Sequence, residues 1–318
     1  MGDSKRRPLA GRRSVLLGMA GFASAALAAC TDTGGPAVPA PGSGPARPKA
    51  TPTGPATPPP SIALKSTEQA AAALAPSAAP PPSARPDKKQ ILAEFSGRQP
   101  TQWGLHIAGV VNGSPSARVA LTFDACGGPG GAGCDHALLA TLRRLAVPAT
   151  LFLNSRWIHA NPSLAAELAA DPLFELANHG TLHQPLSVNG RSAYGIPGTP
   201  SAGAAYDELM GNRALMQELS GTDPKFFRPG TAFYDDVAVA MTRRLGMVPV
   251  NFTVNGDGGA TYSAATVAAE VGRVVSGDIV ISHFNRPAAG TAQGYARALP
   301  GLLDKGVTFG RLGEVLTL

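Results

Sequence analysis

Residues 118–153 read RVALTFDACGGPGGAGCDHALLATLRRLAVPATLFL, and this stretch decides the fold class. Two short apolar runs, Val119–Phe123 and Ala149–Leu153, enclose an amphipathic segment, Asp135–Leu145. A strand, a helix of about three turns and a second strand in this order form a βαβ unit, in which the two strands are parallel. The stretch therefore predicts an α/β fold built around a parallel sheet.

The same alternation continues to the C-terminus. Further strands are predicted at Phe174–Ala177, Phe226–Arg228, Val248–Phe252, Asp278–Ser282 and Val307–Phe309. Further helices are predicted at Ser163–Ala170, Ala204–Leu219, Asp235–Leu245, Ala264–Val275 and Tyr295–Asp304. Seven such units without a glycine-rich phosphate loop favour a barrel over a dinucleotide-binding fold. In barrels of this kind the chemistry lies where the strands end and the loops begin.

The first thirty residues are typical of an export signal. Basic residues through Arg13 precede the mostly apolar run Ser14–Ala29, which is shorter than the ~20 residues that a membrane span needs. The run ends in LAAC, which resembles the bacterial lipobox, so we predict a signal peptide at 1–29 and an exported protein anchored to the envelope membrane by lipid on Cys30. An ordinary cleaved signal and an uncleaved anchor helix are the alternatives. The paired arginines before the run leave the general secretory and twin-arginine routes both open.

A stretch of low sequence complexity separates this signal from the predicted barrel. Residues 30–88 are dominated by Pro, Ala, Gly, Ser and Thr, which together bury too little apolar surface to offset the entropy of ordering the chain. We therefore predict a disordered tether at 30–88 and a folded domain at 89–318. The formal net charge of +6 comes from the tether and the signal, so the domain is near neutral and lacks the basic surface that nucleic acid requires. Nothing in the sequence indicates the oligomeric state.

Five polar motifs fall at or just beyond the ends of predicted strands. They are TFD ending at Asp124, NHGTLH carrying His179 and His183, FRPG carrying Arg228, NGD ending at Asp257 and IVISH ending at His283. Two histidines four residues apart on one helical turn face the same way, so both imidazoles can reach one cation. Each motif alone is weak evidence, because a single histidine or aspartate at such a position is more often structural than catalytic.

In this order and at these intervals, the motifs resemble those of the polysaccharide deacetylase family, carbohydrate esterase family 4. The resemblance extends from about Val119 to Leu318. It implies a distorted (β/α)7-type barrel and the hydrolysis of N-acetyl groups on an amino-sugar polymer, such as peptidoglycan or a poly-N-acetylhexosamine. It also implies a divalent metal ion, with zinc as the expected ion, bound by His179 and His183.

The same resemblance implies roles for the other motif residues. Asp124 would be the general base that activates the attacking water, and His283 the general acid that protonates the departing amine. Arg228 would orient and tune Asp124, and Asp257 would tune His283. These residue types suit the reaction, because a carboxylate beside an arginine stays ionised while a histidine beside a carboxylate stays protonated.

The first motif departs from the family pattern. The common form is TFDD, whose second aspartate is the third metal ligand, and here Ala125 stands in its place. Cys126 and Cys134 enclose a glycine-rich loop, and such a pair in an oxidising compartment favours a disulfide. We predict this disulfide and hypothesise that it brings Asp135 to the ligand position. The alternatives are that Asp135 only caps the following helix, that Asp124 itself binds the metal, or that free thiols bind it.

Two other functions fit the same scaffold. The alanine in the first motif is consistent with a catalytically inactive glycan-binding module, and activated water also attacks esters, which leaves an O-acetyl esterase open. The retained histidines, acid and base favour the hydrolase. A polar, glycine-rich insertion, Gln184–Gly203, follows the second histidine of the pair, and we expect it to border the site and shape access for substrate.

Overall fold

The computed structural model describes residues 85–317. The predicted signal peptide, Cys30 and nearly all of the predicted tether lie outside the described residues. The first described helix begins at Lys88, next to the predicted start of the domain at residue 89. Across residues 85–317, no helix combines the length and the apolar character that a membrane crossing requires.

Residues 85–317 form nine β-strands and nine α-helices. The strands are β1 (Trp103–Gly104), β2 (Ala120–Ala125), β3 (Ala149–Leu153), β4 (Phe174–Asn178), β5 (Phe226–Phe227), β6 (Tyr234–Asp235), β7 (Val248–Pro249), β8 (Val254–Asn255) and β9 (Ile279–His283). The helices are α1 (Lys88–Phe95), α2 (His136–Arg144), α3 (Ser155–Ala160), α4 (Pro162–Ala170), α5 (Ala202–Ser220), α6 (Asp236–Arg244), α7 (Ala264–Val271), α8 (Thr291–Asp304) and α9 (Leu312–Val315).

Seven of these strands form one parallel sheet, in the order β7-β5-β4-β3-β2-β9-β8. The edge strands β7 and β8 follow each other in the chain but do not pair, so within the described residues the curled sheet remains an open half-barrel. Strands β1 and β6 form a separate antiparallel pair. The prediction of an α/β fold of the distorted (β/α)7 type is confirmed.

The central strands carry the core. Every residue of β2 and β3 is buried, and Leu121 and Phe123 of β2 share one hydrophobic cluster with Leu138 of α2, Val267 of α7 and Leu299 of α8. A parallel sheet covered by helices buries its central strands on both faces, so these strands are continuous apolar runs rather than alternating ones. This burial explains why short apolar runs predicted the strands.

Two predicted strands differ in the structure. The predicted strand Val248–Phe252 is shorter in the structure, where β7 covers only Val248–Pro249, and β8 (Val254–Asn255) was not predicted. Between the two strands, Asn251 donates hydrogen bonds from Nδ2 to the carbonyls of Leu105 and Ala232. The predicted strand at Val307–Phe309 is wrong, since only a single bridge to Val119 forms there. The sheet still has seven strands, because β8 supplies the seventh.

Candidate active site

The polar motif residues gather at the carboxyl ends of the parallel strands. Asp124 lies near the end of β2, His283 ends β9, and His179 directly follows β4. These side chains open into one cavity of about 650 Å³. The cavity is lined by Asp124, Cys126, His179, His183, Tyr194 and His283, among others. Parallel strands align their carboxyl ends at one edge of the sheet, so residues far apart in sequence meet there.

A buried ion pair lies beneath the cavity. Arg228 Nη1 donates to Asp124 Oδ1 at 2.8 Å and to Thr122 Oγ1 at 2.9 Å, and Nη2 donates to the carbonyl of Asn251 at 3.0 Å. The guanidinium is 4.2 Å from the centre of the Phe152 ring. Because Arg228 is fully buried and bonded through several N–H groups, it fixes the position of the carboxylate it binds.

The charges around Asp124 keep it ionised. Burial acts to raise the pKa of Asp124, but Arg228 and the neighbouring imidazoles of His179 and His283 outweigh it, and the net pKa is lowered. An ionised carboxylate at neutral pH is free to accept a proton. Arg228 binds Oδ1 of Asp124, and the other carboxylate oxygen, Oδ2, is 3.7 Å from His179 Nε2.

A second ion pair has the opposite effect. His283 Nδ1 lies 3.0 Å from Asp257 Oδ1, and the other carboxylate oxygen accepts from the backbone N–H of His283 at 2.7 Å and from Thr291 Oγ1 at 3.1 Å. Burial acts to lower the pKa of His283, but the charge of Asp257 outweighs it and the pKa is raised well above its usual value. With Nδ1 bound to the carboxylate, Nε2 is the nitrogen that can give a proton to a molecule in the cavity.

Three potential metal-ligand atoms come together beside Asp124. Within residues 85–317, the side chains of Cys126, His179 and His183 place one ligand atom each within 4.8 Å of one another. The Nδ1 of His179 lies 2.8 Å from the carbonyl of Arg228, which leaves Nε2 directed to the cluster, 3.8 Å from Cys126 Sγ. Ligands about 2.0–2.3 Å from one tetrahedral zinc ion have spacings of this order. A backbone carbonyl that holds the other ring nitrogen is the usual support of a metal-binding histidine.

Cys126 has the character of a thiolate ligand. Burial acts to raise the pKa of its thiol, but His183 and His179 outweigh it, and the pKa is held well below its usual value. Zinc binds thiolate sulfur and imidazole nitrogen together. The cluster therefore fits a divalent ion of the zinc type.

The predicted disulfide is not formed. Cys126 and Cys134 are both free, because Cys126 faces the two histidines while Cys134 packs against the hydrophobic core. Burial and the neighbouring Asp135 raise the pKa of Cys134 to about 12, so its thiol stays protonated. The loop between the two cysteines is closed by its own backbone, with Gly127 N–H donating to the carbonyl of Gly131 at 3.1 Å.

Asp135, the ligand hypothesised from the sequence, caps helix α2. Its Oδ1 accepts from the backbone N–H of Leu138 at 3.1 Å. The ligand atoms that the structure gathers among the described residues belong instead to Cys126 and the two histidines. Of the alternatives open from the sequence, the structure favours capping by Asp135 and a free thiol in the candidate metal site.

The functional residue that was not predicted is Glu208, which supports the loop that carries His183. Glu208 is buried in α5, and its carboxylate accepts backbone N–H groups of Leu182 at 2.8 Å and Gln184 at 3.2 Å. Gly180 lies so close that a Cβ there would be 2.3 Å from Glu208 Oε1. His183 adopts φ +62°, a left-handed conformation that the surrounding structure must hold. A glutamate on the buried face of a helix was the available signal.

Replacing Glu208 with glutamine should weaken metal binding about tenfold, in the range known for residues that support metal ligands. The amide has one acceptor oxygen and cannot satisfy both backbone N–H groups, so the loop with His183 loosens. The measurement is zinc affinity by competition with a chromophoric chelator. Asp207→Asn, at the exposed neighbouring position, is the matched control. Equal affinities for Glu208→Gln and the control would exclude the positioning role.

The sequence matches one protein family. Residues 112–250 match the sequence model of the family described as polysaccharide deacetylase. A curated relative, the uncharacterized protein YlxY of Bacillus subtilis (strain 168), is 22% identical over 180 residues, which cover 56% of this chain and 52% of that protein. The chain thus spans about half the length of this relative.

Solved structures share the fold. BA3943 from Bacillus anthracis, described as a CE4 family pseudoenzyme, matches with a TM-score of 0.56 and 21% identity, covering 67% of this chain and 70% of that one. A mutant of BA3943 with restored enzymatic activity matches with the same TM-score. The Bc1960 peptidoglycan N-acetylglucosamine deacetylase matches with a TM-score of 0.54 and 22% identity, covering 65% of this chain and 92% of that one. At these identities the likeness shows a common fold.

Proposed function

We propose that the chain is a metal-dependent hydrolase of the polysaccharide deacetylase family, which removes N-acetyl groups from an amino-sugar polymer; the match of residues 112–250 to the sequence model of that family supports this proposal. One observation carries the proposal. A carboxylate held ionised by Arg228 and an imidazole held protonated by Asp257 line one cavity together with a cluster of potential metal ligands. The two steps of amide hydrolysis need a base and an acid of this kind.

The metal would be held by Cys126, His179 and His183. When bound, a divalent ion polarises the amide carbonyl and makes a water molecule acidic. Asp124 takes the proton of the attacking water, and Arg228 keeps the carboxylate oriented for this transfer. His283 then delivers a proton from Nε2 to the amide nitrogen, which leaves as an amine. Without that proton the leaving group would be an amide anion, which departs far more slowly.

The polymer we propose is peptidoglycan or a poly-N-acetylhexosamine. Bc1960, which shares the fold, is described as a peptidoglycan N-acetylglucosamine deacetylase. The lipobox-like sequence at Cys30 supports export and lipid anchoring, which would place the domain near such polymers. Fractionation of cells that express the full chain or Cys30→Ser tests the anchor, and equal release of both from membranes would contradict it.

Acetate release by the zinc-loaded full chain tests the proposed activity. The substrates are peptidoglycan, chitin oligomers, poly-N-acetylglucosamine and acetylxylan, and we expect acetate and new free amines from at least one N-acetylated polymer. Chelator-treated protein is the control. Turnover of acetylxylan alone would indicate an O-acetyl esterase. Bound zinc without turnover of any substrate would indicate a glycan-binding module.

Asp257→Asn should move the basic limb of the pH–activity profile to lower pH. His283 acts as an acid and must be protonated, so activity is lost as the pH rises through the pKa of His283. Asp257 raises that pKa, so removing its charge lowers the pKa and the activity is lost at lower pH. The measurement is kcat/KM for a chitin oligomer as a function of pH. An unchanged basic limb would show that His283 is not the acid that this limb reports.

A further inference from the structure

An exposed tyrosine stands at the tip of a tight turn in the insertion after His183. Ala193 and Ile196 exchange two backbone hydrogen bonds, of 3.1 and 2.9 Å, around Tyr194 and Gly195. Both central residues have positive φ, +52° for Tyr194 and +75° for Gly195, as in a type I′ turn. The first position of such a turn favours asparagine, aspartate or glycine. Tyrosine is a strained choice there.

The side chain of Tyr194 gains little from burial. The residue is 76% exposed, the highest value among the three exposed large hydrophobic residues in the described part of the chain. Its ring makes an edge contact with Phe233, at 5.4 Å between centroids, and Phe233 in turn contacts Trp103 at 5.6 Å. The ring is therefore supported on one side while most of its surface remains open to solvent. Folding alone gives no reason for an aromatic residue at this strained and exposed position.

Tyr194 also belongs to the wall of the catalytic cavity. The same cavity is lined by Asp124 and His283 and by two further aromatic residues, Phe252 and Tyr262, from other segments. The reactive groups and an aromatic surface thus share one opening. A ligand with a polar reacting group and a flat apolar face would contact both.

We propose that Tyr194 is a sugar-stacking platform, which binds a pyranose ring of the polymer next to the sugar that loses its acetyl group. This inference rests on the proposed function and adds that the site binds at least two neighbouring sugars of the polymer. A pyranose presents axial C–H groups on one face, which pack on an aromatic ring as other apolar groups do. The free energy of polymer binding would offset the strain and the exposure of Tyr194, which folding leaves uncompensated.

Calorimetric titration with tetra-N-acetylchitotetraose tests the platform in the full chain treated with chelator, which prevents turnover. We expect Tyr194→Ala to raise Kd about tenfold, and Tyr194→Phe to stay within about twofold, since it keeps the ring. Tyr206→Ala is the matched control, a tyrosine on α5 that does not line the cavity and whose ring lies near Lys88. Equal Kd values for Tyr194→Ala and wild type would overturn the platform.

Tyr194→Asn separates a binding role from a structural one. Asparagine before glycine is the preferred pair for a type I′ turn, so this variant should raise the melting temperature while it raises Kd as much as Tyr194→Ala does. A lower melting temperature with unchanged Kd would show that Tyr194 serves the fold. If no variant or wild type binds the tetramer while acetate is still released from small substrates, the platform fails and the hydrolase stands. A tenfold contrast in Kd without any turnover would leave the platform standing and remove the hydrolase.

Discussion

Asp124→Asn should lower kcat/KM for acetate release by about a thousandfold and leave the metal bound. General base catalysis contributes about 10²- to 10⁴-fold, and an amide of nearly the same shape cannot accept the proton. The ligand atoms gathered in the structure come from Cys126 and the two histidines, so the bound zinc should stay near one per chain. The measurements are kcat/KM on a chitin oligomer and metal content of the same sample.

The buried ion pair makes a folding control necessary. Asp124 is 2% exposed and Arg228 is fully buried, so the amide leaves the guanidinium without its charged partner. Breaking such a pair costs about 3–5 kcal/mol of stability, and activity must be measured well below the lowered melting temperature. Asp135→Asn is the matched control, because it changes a buried carboxylate that only caps α2.

Two outcomes would contradict the assignment. Activity of Asp124→Asn within tenfold of wild type, with zinc bound, would exclude Asp124 as the base. Loss of zinc together with activity would make Asp124 a metal ligand, the alternative that the sequence left open. If Asp135→Asn instead loses the metal, the ligand hypothesised from the sequence is restored.

The fold could be predicted where the sheet is buried on both faces. Strands β2, β3, β4 and β9 are continuous or nearly continuous apolar runs, because helices cover the sheet and neighbouring strands pair along their whole length. The edge strands β7 and β8 have two residues each, and the segment between them is held by hydrogen bonds from the Asn251 side chain to the carbonyls of Leu105 and Ala232. Such short edges are set by tertiary contacts that periodicity does not record.

The site could be predicted where strand ends supply it. Asp124, His179 and His283 meet because the sheet aligns the ends of their strands. Metal binding by the Cys126 thiol was only one of the alternatives left open by the sequence, because the expected oxidising compartment and the spacing of the cysteines favoured a disulfide. The direction in which a thiol points depends on the path of its loop, which the sequence does not show. Gly127 makes that path possible, since it has φ +66° and a Cβ there would be 2.5 Å from the backbone nitrogen of Trp157.

Cys126→Ala should weaken zinc binding at least a hundredfold and abolish acetate release. Losing one of three protein ligands removes a metal–sulfur bond, and ligand-supporting residues alone are worth about 10- to 100-fold in affinity. The backbone of the loop should persist, because Gly127 and Gly131 close it through their own hydrogen bond. Zinc affinity by chelator competition and the melting temperature of the metal-free protein are the measurements.

Cobalt substitution identifies the ligand without reference to activity. Cobalt(II) bound by a thiolate shows a sulfur-to-metal charge-transfer band in the near ultraviolet, so wild type should show this band and Cys126→Ser should lose it. Cys134→Ser is the matched control, a second free thiol that packs against the core and should leave the band unchanged. A band that persists in Cys126→Ser, or one zinc per chain retained with wild-type affinity in Cys126→Ala, would show that the third ligand lies elsewhere.

Cys126→Asp then tests whether the position or the sulfur matters. A carboxylate at this position supplies an oxygen donor, which suits harder ions better than a thiolate does. We expect this variant to bind a divalent ion without the charge-transfer band, to shift its preference from zinc toward manganese, and to recover part of the activity that Cys126→Ala loses. Recovery would mean that the third metal ligand of this chain lies at position 126, one residue after the aspartate of the TFDD pattern, and is a thiolate instead of a carboxylate. The alanine at 125 beside a cysteine at 126 fits this arrangement. No recovery of metal binding by either aspartate or serine would tie the site to sulfur alone.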